Sequence, residues 1–183
     1  SSRIARTAGL WLIASTTAGC LQISGLEEMT IGEPGPDPCA SCGPLEQCGR
    51  VRVCTPTLVF VPTPDGGTTG IDATEVTDDQ YEAWLATDPR VADQDPWCVL
   101  NDDFSRGLNV CTPKPAAGSA PRVCIDWCDA AAYCKAMGKR LCGQIDGGPL
   151  DPADTDDPIR SQWQTACTSG GLTDYPYGNV YDT

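Results

Sequence analysis

The sequence predicts an α+β domain with short strands, about three helices and long disulfide-linked loops. Three observations support this fold class. The 183 residues include 19 glycines and 16 prolines, which favours many turns and few long elements. Hydrophobic residues make up 40% of the chain, enough for a packed core. Twelve cysteines without a histidine are typical of a disulfide framework in an exported protein.

Short β-type runs provide the predicted strands. Residues 58–61 are apolar and are followed by two prolines that end the run. Residues 71–76 predict a second strand. Residues 123–125 predict a third, after a proline-rich irregular stretch at 88–121.

The clearest helix signal starts at Thr77. Its hydroxyl can accept a hydrogen bond from a free backbone amide, and Gln80 can bond back to the Thr77 amide, which makes a capping box. Tyr81, Trp84 and Leu85 follow at i, i+3 and i+4 and share one helical face. We interpret this stripe as core, with a ligand platform as the alternative.

Two further helices are expected. Asp126 is the predicted cap of the second, and Gly138 follows its C-terminal end. The third is predicted to begin at Asp157 with Pro158 in its first position. Trp163 and Ala166 would then face the core.

The first twenty residues indicate an export signal. Two arginines precede a short apolar run at 8–14, which is too short to span a bilayer. Residues 17–20 resemble a bacterial lipobox, so Cys20 is the predicted lipidation site. The alternative is an ordinary signal peptide, with Cys20 as a further disulfide thiol. The residue after Cys20 is Leu21. In a Gram-negative host, the absence of Asp at this position favours the outer membrane.

Three segments are predicted on this basis: a signal peptide at 1–19, a lipid-anchored tether with a Cys-rich knot at 20–57, and a domain at 58–183. The protein is expected to be exported to the bacterial cell envelope as an outer-membrane lipoprotein. Its acyl chains would hold it on the membrane surface.

Charge and composition exclude several functions. The formal net charge of −13 repels phosphate backbones, so no nucleic acid is expected as a partner. The lack of histidine excludes a Ser-His-Asp triad, a Cys-His pair and any histidine-ligated metal within these residues.

Four closely spaced cysteines precede the domain, and their spacing leaves two interpretations. Two local disulfides are favoured, with three pairings open, while the Cys39-x-x-Cys42 spacing also fits a zinc knuckle. Cys98 and Cys111 are expected to staple the stretch at 88–121. The full set of disulfide candidates is Cys39, Cys42, Cys48, Cys54, Cys98, Cys111, Cys124, Cys128, Cys134, Cys142 and Cys167.

An acidic loop spans residues 143–157. A calcium site is one interpretation, because oxygen donors are plentiful, but the spacing does not match an EF-hand. A solvated acidic insertion is the favoured interpretation. Its carboxylates are Asp146, Asp151, Asp154, Asp156 and Asp157.

Several separated blocks resemble the formylglycine-generating enzyme (sulfatase-modifying factor) family. Residues 71–81, with Glu-Val-Thr followed by an aromatic residue at Tyr81, are similar to its opening motif. Residues 121–141 are similar to its central motif. Trp163, Ala166, the glycines at 170–171 and a Tyr-Pro-Tyr-Gly-Asn turn at 175–179 are similar to the family's next conserved blocks. Order and spacing agree across about residues 58–183.

The resemblance implies a compact, mixed fold related to C-type lectins. It also implies oxidative chemistry, in which oxygen converts a substrate cysteine to formylglycine and two cysteines hold copper. Calcium is a further cofactor that the resemblance implies for the complete protein. Iron-dependent sulfoxide synthases are relatives, but they need histidines, which this chain lacks.

The sequence departs from the family at its functional positions. The family's copper cysteines and calcium ligands lie downstream of the 175–179 turn, while the sequence ends at Thr183. The domain is therefore expected to be truncated, with no catalytic, cofactor-binding or metal residues in this chain. Leu141 is followed by Cys142 and the acidic insertion, and residues 162–164 are Gln-Trp-Gln where the family has carboxylates.

If Cys20 is acylated, the remaining eleven cysteines cannot all pair with one another. Cys167 is the predicted odd thiol, with a partner soon after Thr183.

Three functions emerge as expectations. The first is an exported lipoprotein that is a copper- and oxygen-dependent cysteine oxidoreductase when complete, acting on a protein or peptide, with the present residues inactive. The alternative is a non-catalytic envelope module that binds a ligand or partner. A small structural lipoprotein is a third. The oligomeric state stays open.

Overall fold

Four short strands pair into two antiparallel hairpins, and three helices complete the regular structure of the described residues. The computed structural model describes residues 36–105, 107 and 118–181. The predicted α+β class is confirmed. The signal peptide, Cys20 and Cys111 lie outside the described residues.

The first hairpin precedes the predicted start of the domain, where the sequence predicts no strand. Strand β1, Glu46–Cys48, pairs with β2, Cys54–Pro56. The turn between them closes with a hydrogen bond of 2.8 Å from the Gly49 amide to the Val53 carbonyl. Val53 is buried in the core cluster, so this hairpin packs with the rest of the unit from Pro36 onward. The lipid-anchored tether predicted at 20–57 stays a prediction.

The second hairpin joins β3, Leu58–Pro62, to β4, Thr68–Asp72. The strand expected at 71–76 forms only at its first two residues, because the register that pairs Phe60 with Gly70 places Ile71 and Asp72 at the end of β4. Beyond Asp72 the chain leaves the sheet towards the first helix.

Helix α1, Asp78–Leu85, begins as predicted. The Gln80 amide donates to the Thr77 hydroxyl at 3.3 Å, and the Thr77 amide donates to Gln80 Oε1 at 2.9 Å. Tyr81 and Trp84 are buried and Leu85 packs against them, so the stripe is core.

Helix α2, Trp127–Ala136, is also capped as predicted, by Asp126, which accepts from the Asp129 amide at 2.9 Å. Gly138 follows in the left-handed region with φ of 81°. The strand expected at 123–125 does not form. Cys124 has φ of 63°, which is incompatible with an extended strand.

Helix α3, Gln162–Cys167, starts later than predicted. Residues 157–160 form a turn instead, and Ser161 caps the helix by accepting from the Gln164 amide at 3.2 Å. Trp163 is 61% exposed and does not face the core. The inner face is polar, because Gln162 donates to Thr69 Oγ1 of β4 at 2.5 Å and Thr165 is fully buried.

Aromatic rings fill the core between the first hairpin, α1 and α2. The Trp84 ring lies 5.0 Å from Tyr81, 5.1 Å from Phe104 and 5.6 Å from Tyr133 between centroids. Met137 and Val53 complete the cluster. Such edge and stacked arrangements stabilise a core beyond simple burial. None of the described helices has the length and hydropathy needed to cross a bilayer.

Candidate functional site

Disulfides position most of the described cysteines. Cys39 bonds to Cys48 and Cys42 bonds to Cys54, which crosslinks the segment before β1 to the first hairpin. The sulfurs of the Cys39-x-x-Cys42 pair are therefore engaged in disulfides, and the zinc-knuckle interpretation does not hold.

The remaining predicted thiols divide into two groups. Cys98, expected to staple the stretch at 88–121, reaches out of it and bonds to Cys128 of α2. Cys124 is also disulfide-bonded. Three thiols of the described residues are free: Cys134, Cys142 and Cys167.

The Cys98–Cys128 disulfide holds two exposed tryptophans beside each other. Trp97 precedes Cys98 and is 85% exposed, while Trp127 precedes Cys128 and is 58% exposed. The Cα atoms of the bonded cysteines are 5.7 Å apart, and Cys98 is buried. The crosslink therefore fixes the backbone under both indole rings.

These tryptophans line a cleft of about 760 Å³, which we call the tryptophan cleft. Its volume is in the range of small-ligand sites. Leu141 and residues 149–150 give it apolar lining, and the rest of the segment 139–142 lines it as well.

Positive charge collects in the tryptophan cleft although the whole chain is acidic. Lys135, Lys139 and Arg140 line it together with one acid, Asp95. Lys135 pairs with Asp95 at 2.9 Å, and Lys139 pairs with Asp72 at 2.5 Å. Arg140 makes no ion pair with the described residues. Its guanidinium donates only to the carbonyls of Leu141 at 3.1 Å and Gln144 at 3.2 Å.

A second cleft, of about 580 Å³, shares residues 139–142 with the first. We call it the thiol cleft because Cys134 and Cys142 both line it. Phe60 and Trp163, both exposed, supply aromatic surface there. Two clefts thus meet at one short segment of chain.

Lys139 fixes that shared segment. Its side chain is only 7% exposed, and its ammonium donates to Thr55 Oγ1 at 3.2 Å, to the Pro56 carbonyl at 2.5 Å and to Asp72. One buried cation therefore joins β2, β4 and the end of α2. A paired and hydrogen-bonded charge of this kind holds a specific geometry, and its removal leaves the partner unsatisfied.

Two of the free thiols are poor nucleophiles near neutral pH. Burial, reinforced by the nearby Asp72 carboxylate, raises the pKa of Cys134 to about 11. Burial also raises the pKa of Cys142, although the Arg140 cation opposes that shift. The thiolate is the reactive form, so both groups are mainly protonated thiols at neutral pH.

The acidic loop uses its carboxylates locally. Asp151 accepts from the Ala153 amide at 2.9 Å, and Asp157 accepts from the Ile159 amide at 2.8 Å. Arg160 lies 3.4 Å from Asp154 and 3.7 Å from Asp157. These contacts stabilise turns in the insertion. The described carboxylates of the loop do not converge on one point, so they do not support the calcium interpretation.

Sequence reasoning missed the tryptophan cleft. Sequence reasoning includes Trp127 only within the block that resembles the family's central motif, and it does not single out Trp97. The one available signal is the repeated Trp-Cys pair at 97–98 and 127–128, which places two large rings next to two disulfide candidates.

The comparison with known families agrees with the blocks seen in the sequence. Residues 69–183, well over half of the chain, match the sulfatase-modifying factor enzyme 1-like domain. No curated protein and no solved structure matches the chain. The chain therefore belongs to the formylglycine-generating sulfatase-modifying factor family.

Proposed function

We propose that the protein is an exported, lipid-anchored member of this family whose described residues bind a ligand or protein partner through the tryptophan cleft. The observation that carries the proposal is the pair of exposed tryptophans next to the Cys98–Cys128 disulfide, in one cleft with an arginine that makes no ion pair with the described residues. Tryptophan and arginine dominate the binding energy of protein interfaces.

The ligand class follows from the charge of the cleft. Lys135 and Lys139 already pair with acids, which leaves Arg140 as the lining cation without an ion pair among the described residues. A segment that carries carboxylates and one large apolar side chain complements it. The net charge of −13 opposes an acidic ligand at long range. That repulsion is screened beyond about 8 Å at physiological salt, while contacts inside the cleft are not. We therefore propose an acidic peptide segment.

Export and lipid anchoring are supported by the N-terminal signal and by the disulfides. Several disulfides in one small domain are typical of proteins from oxidising compartments. The predicted acyl cysteine, Cys20, would place the domain at a membrane surface of the cell envelope.

Among the described residues, no group of three free donors converges on one point. Members of the family use copper and calcium, and copper prefers soft thiolate ligands. The one cluster of three donors found among the described residues joins Cys42, Glu46 and Cys54, with its ligand atoms within 4.8 Å of one another. Its two sulfurs are bonded to each other and cannot act as thiolates.

Oxidation of cysteine by copper and oxygen is the second candidate function, and family membership is the observation that favours it. Under this candidate the two clefts would position a protein or peptide substrate.

The binding proposal is tested with designed peptides and the purified protein. We expect Glu-Glu-Phe-Glu-Glu to change the intrinsic tryptophan fluorescence, and Lys-Lys-Phe-Lys-Lys and Glu-Glu-Ala-Glu-Glu to bind more weakly. Trp127→Ala should weaken binding by about tenfold or more, as expected for an aromatic hot spot. Trp163→Ala is the matched control, because Trp163 is similarly exposed but lines the thiol cleft. Equal affinity for the three peptides would contradict the proposal.

The oxidase candidate is tested on the same preparation. Copper(I), oxygen and a cysteine-containing peptide are added to residues 21–183, and oxygen uptake and peptide mass are followed. We expect no copper-dependent oxidation of the peptide. Turnover to an aldehyde-containing product would show that these residues hold a working metal site and would favour the enzyme.

A further inference from the structure

The geometry points to a disulfide between Cys142 and Cys167 that forms in the exported protein and leaves Cys134 as the free thiol among the described residues. The inference rests on the proposed export and goes beyond the binding function. It also replaces the sequence-based expectation that Cys167 pairs beyond Thr183.

Antiparallel pairing brings Cys142 against helix α3. Gln144 and Ser161 form an antiparallel bridge, and the Ile145 amide donates to the Arg160 carbonyl at 2.9 Å. One step further, the Gln162 amide donates to the Gly143 carbonyl at 3.0 Å. Continuation of this register places Cys142 beside Trp163.

Helix α3 then presents Cys167 on the same side. Trp163 and Cys167 are four residues apart, and side chains at that spacing are neighbours on one helical face, about 5–6 Å apart at Cβ. Trp163 and Cys142 line the same cleft. A disulfide requires a Cα separation of no more than about 7 Å, and the proposal requires Cys142 and Cys167 to reach it.

Electrostatics is consistent with three thiols that lie near one another. Burial is the main cause of the raised pKa of Cys142 and of Cys134; ionised Cys167 adds to the shift at Cys142, and ionised Cys142 adds to the shift at Cys134. Cys142 is therefore the central thiol of the cluster. It is also the exposed one, whereas Cys134 and Cys167 are partly buried.

The number of cysteines in the given residues is compatible with this pairing. Acylation of Cys20 leaves eleven, and an odd number must leave one unpaired. Cys134 suits that role because burial keeps its thiol protonated and because helix α2 fixes its position.

The chemistry balances as an ordinary thiol–disulfide exchange. The Cys142 and Cys167 S–H bonds break, one S–S bond forms, and two protons and two electrons leave. An oxidised dithiol or small-molecule disulfide of the compartment accepts the electrons and is reduced to two thiols. The new crosslink closes the acidic insertion and fixes Cys142, which lines both clefts.

Tryptic mapping of the full-length protein from its host tests the inference, because the cleavage sites separate the three thiols. Cleavage after Arg122, Lys135, Arg140 and Arg160 puts Cys134 in the peptide 123–135, Cys142 in 141–160 and Cys167 in the peptide that begins at Ser161. The protein is first alkylated without reduction. We expect peptide 141–160 linked to the peptide from Ser161, and an alkylated Cys134.

Two variants sharpen the test. Cys134→Ser should leave the 142–167 link intact and remove the only alkylated site, while Cys142→Ser should expose Cys167 to alkylation. The Cys98–Cys128 bond serves as an internal standard for oxidation. If that bond is formed while Cys142 and Cys167 are both alkylated, the inference is overturned. A link from Cys142 to peptide 123–135, or from Cys167 to a peptide beyond Thr183, also overturns it. Alkylation of every cysteine overturns both the disulfide and the proposed export.

Discussion

Cys134 illustrates how one buried side chain departs from its usual chemistry. Because burial raises its pKa to about 11, the rate of its alkylation should rise about tenfold for each pH unit from pH 8 to pH 10, without a plateau. In urea the same thiol should plateau above its ordinary pKa of about 8.5. Rates are measured by mass spectrometry of the peptide 123–135. A plateau near pH 9 in the folded protein would contradict the burial.

The same shift links Cys134 to stability. Its folded pKa lies above the unfolded value, so the unfolded chain loses the proton first as the pH rises. The contribution of the Cys134 thiol to the free energy of unfolding is fully present below about pH 8.5 and is lost as the pH rises towards 11.

Arg122 is a deeply buried cation that pairs with two acids. Its side chain is 2% exposed, its Nη1 atom lies 3.0 Å from Asp78 and 2.5 Å from Glu82, and its guanidinium lies 4.2 Å from the centre of the Tyr81 ring. Arg122→Met should lower the free energy of unfolding by about 3 kcal/mol, because it removes a buried guanidinium that pairs with both acids. Urea denaturation measures this.

Arg90 provides the control for that measurement. It pairs with Asp93 at 2.7 Å, but both side chains are well exposed. Arg90→Met should therefore change stability by less than about 1 kcal/mol. Equal losses for the two variants would show that burial does not govern the contribution of Arg122.

Helix α1 owes its start to a local hydrogen-bond exchange, so its cap can be tested alone. Thr77→Ala removes the hydroxyl that accepts from the Gln80 amide and should cost about 1 kcal/mol in thermal or chemical unfolding. Thr74→Ala is the control, since Thr74 is exposed and caps no helix. A loss at Thr74 as large as that at Thr77 would argue against the cap.

Local signals explain which elements could be predicted. The caps at Thr77 and Asp126 act within three residues, and both helices begin where the sequence indicates. The start predicted for helix α3 is wrong because Pro158 is also suited to a turn, and because the inner face of the helix is chosen by a distant bond from Gln162 to Thr69. The hairpin at Glu46–Pro56 escapes prediction because disulfides, more than strand propensity, hold its short strands.

The candidate site depends on contacts that no local pattern contains. Trp97 and Trp127 line one cleft, next to Cys98 and Cys128, which are thirty residues apart and bonded to each other. Sequence reasoning identifies both cysteines as disulfide candidates, but four or more cysteines allow too many pairings for the partner to be deduced. The family resemblance, by contrast, can be read from spaced blocks because these follow chain order.

At the scale of the whole molecule, disulfides and ligand binding should be coupled through one crosslink. Replacing Cys98 and Cys128 together by alanine should lower stability by about 2–4 kcal/mol, since the closed segment gains freedom when unfolded. It should also weaken binding of Glu-Glu-Phe-Glu-Glu, because the tryptophans lose their fixed spacing.

The matched control replaces Cys39 and Cys48 by alanine, which removes a disulfide remote in sequence from both tryptophans. That control should lose stability but keep its affinity for the peptide. Unfolding in urea and fluorescence titration are run on the same samples, below the unfolding transition. If both double variants lose affinity equally, general loosening of the fold explains the effect, and the Cys98–Cys128 bond has no special part in shaping the tryptophan cleft.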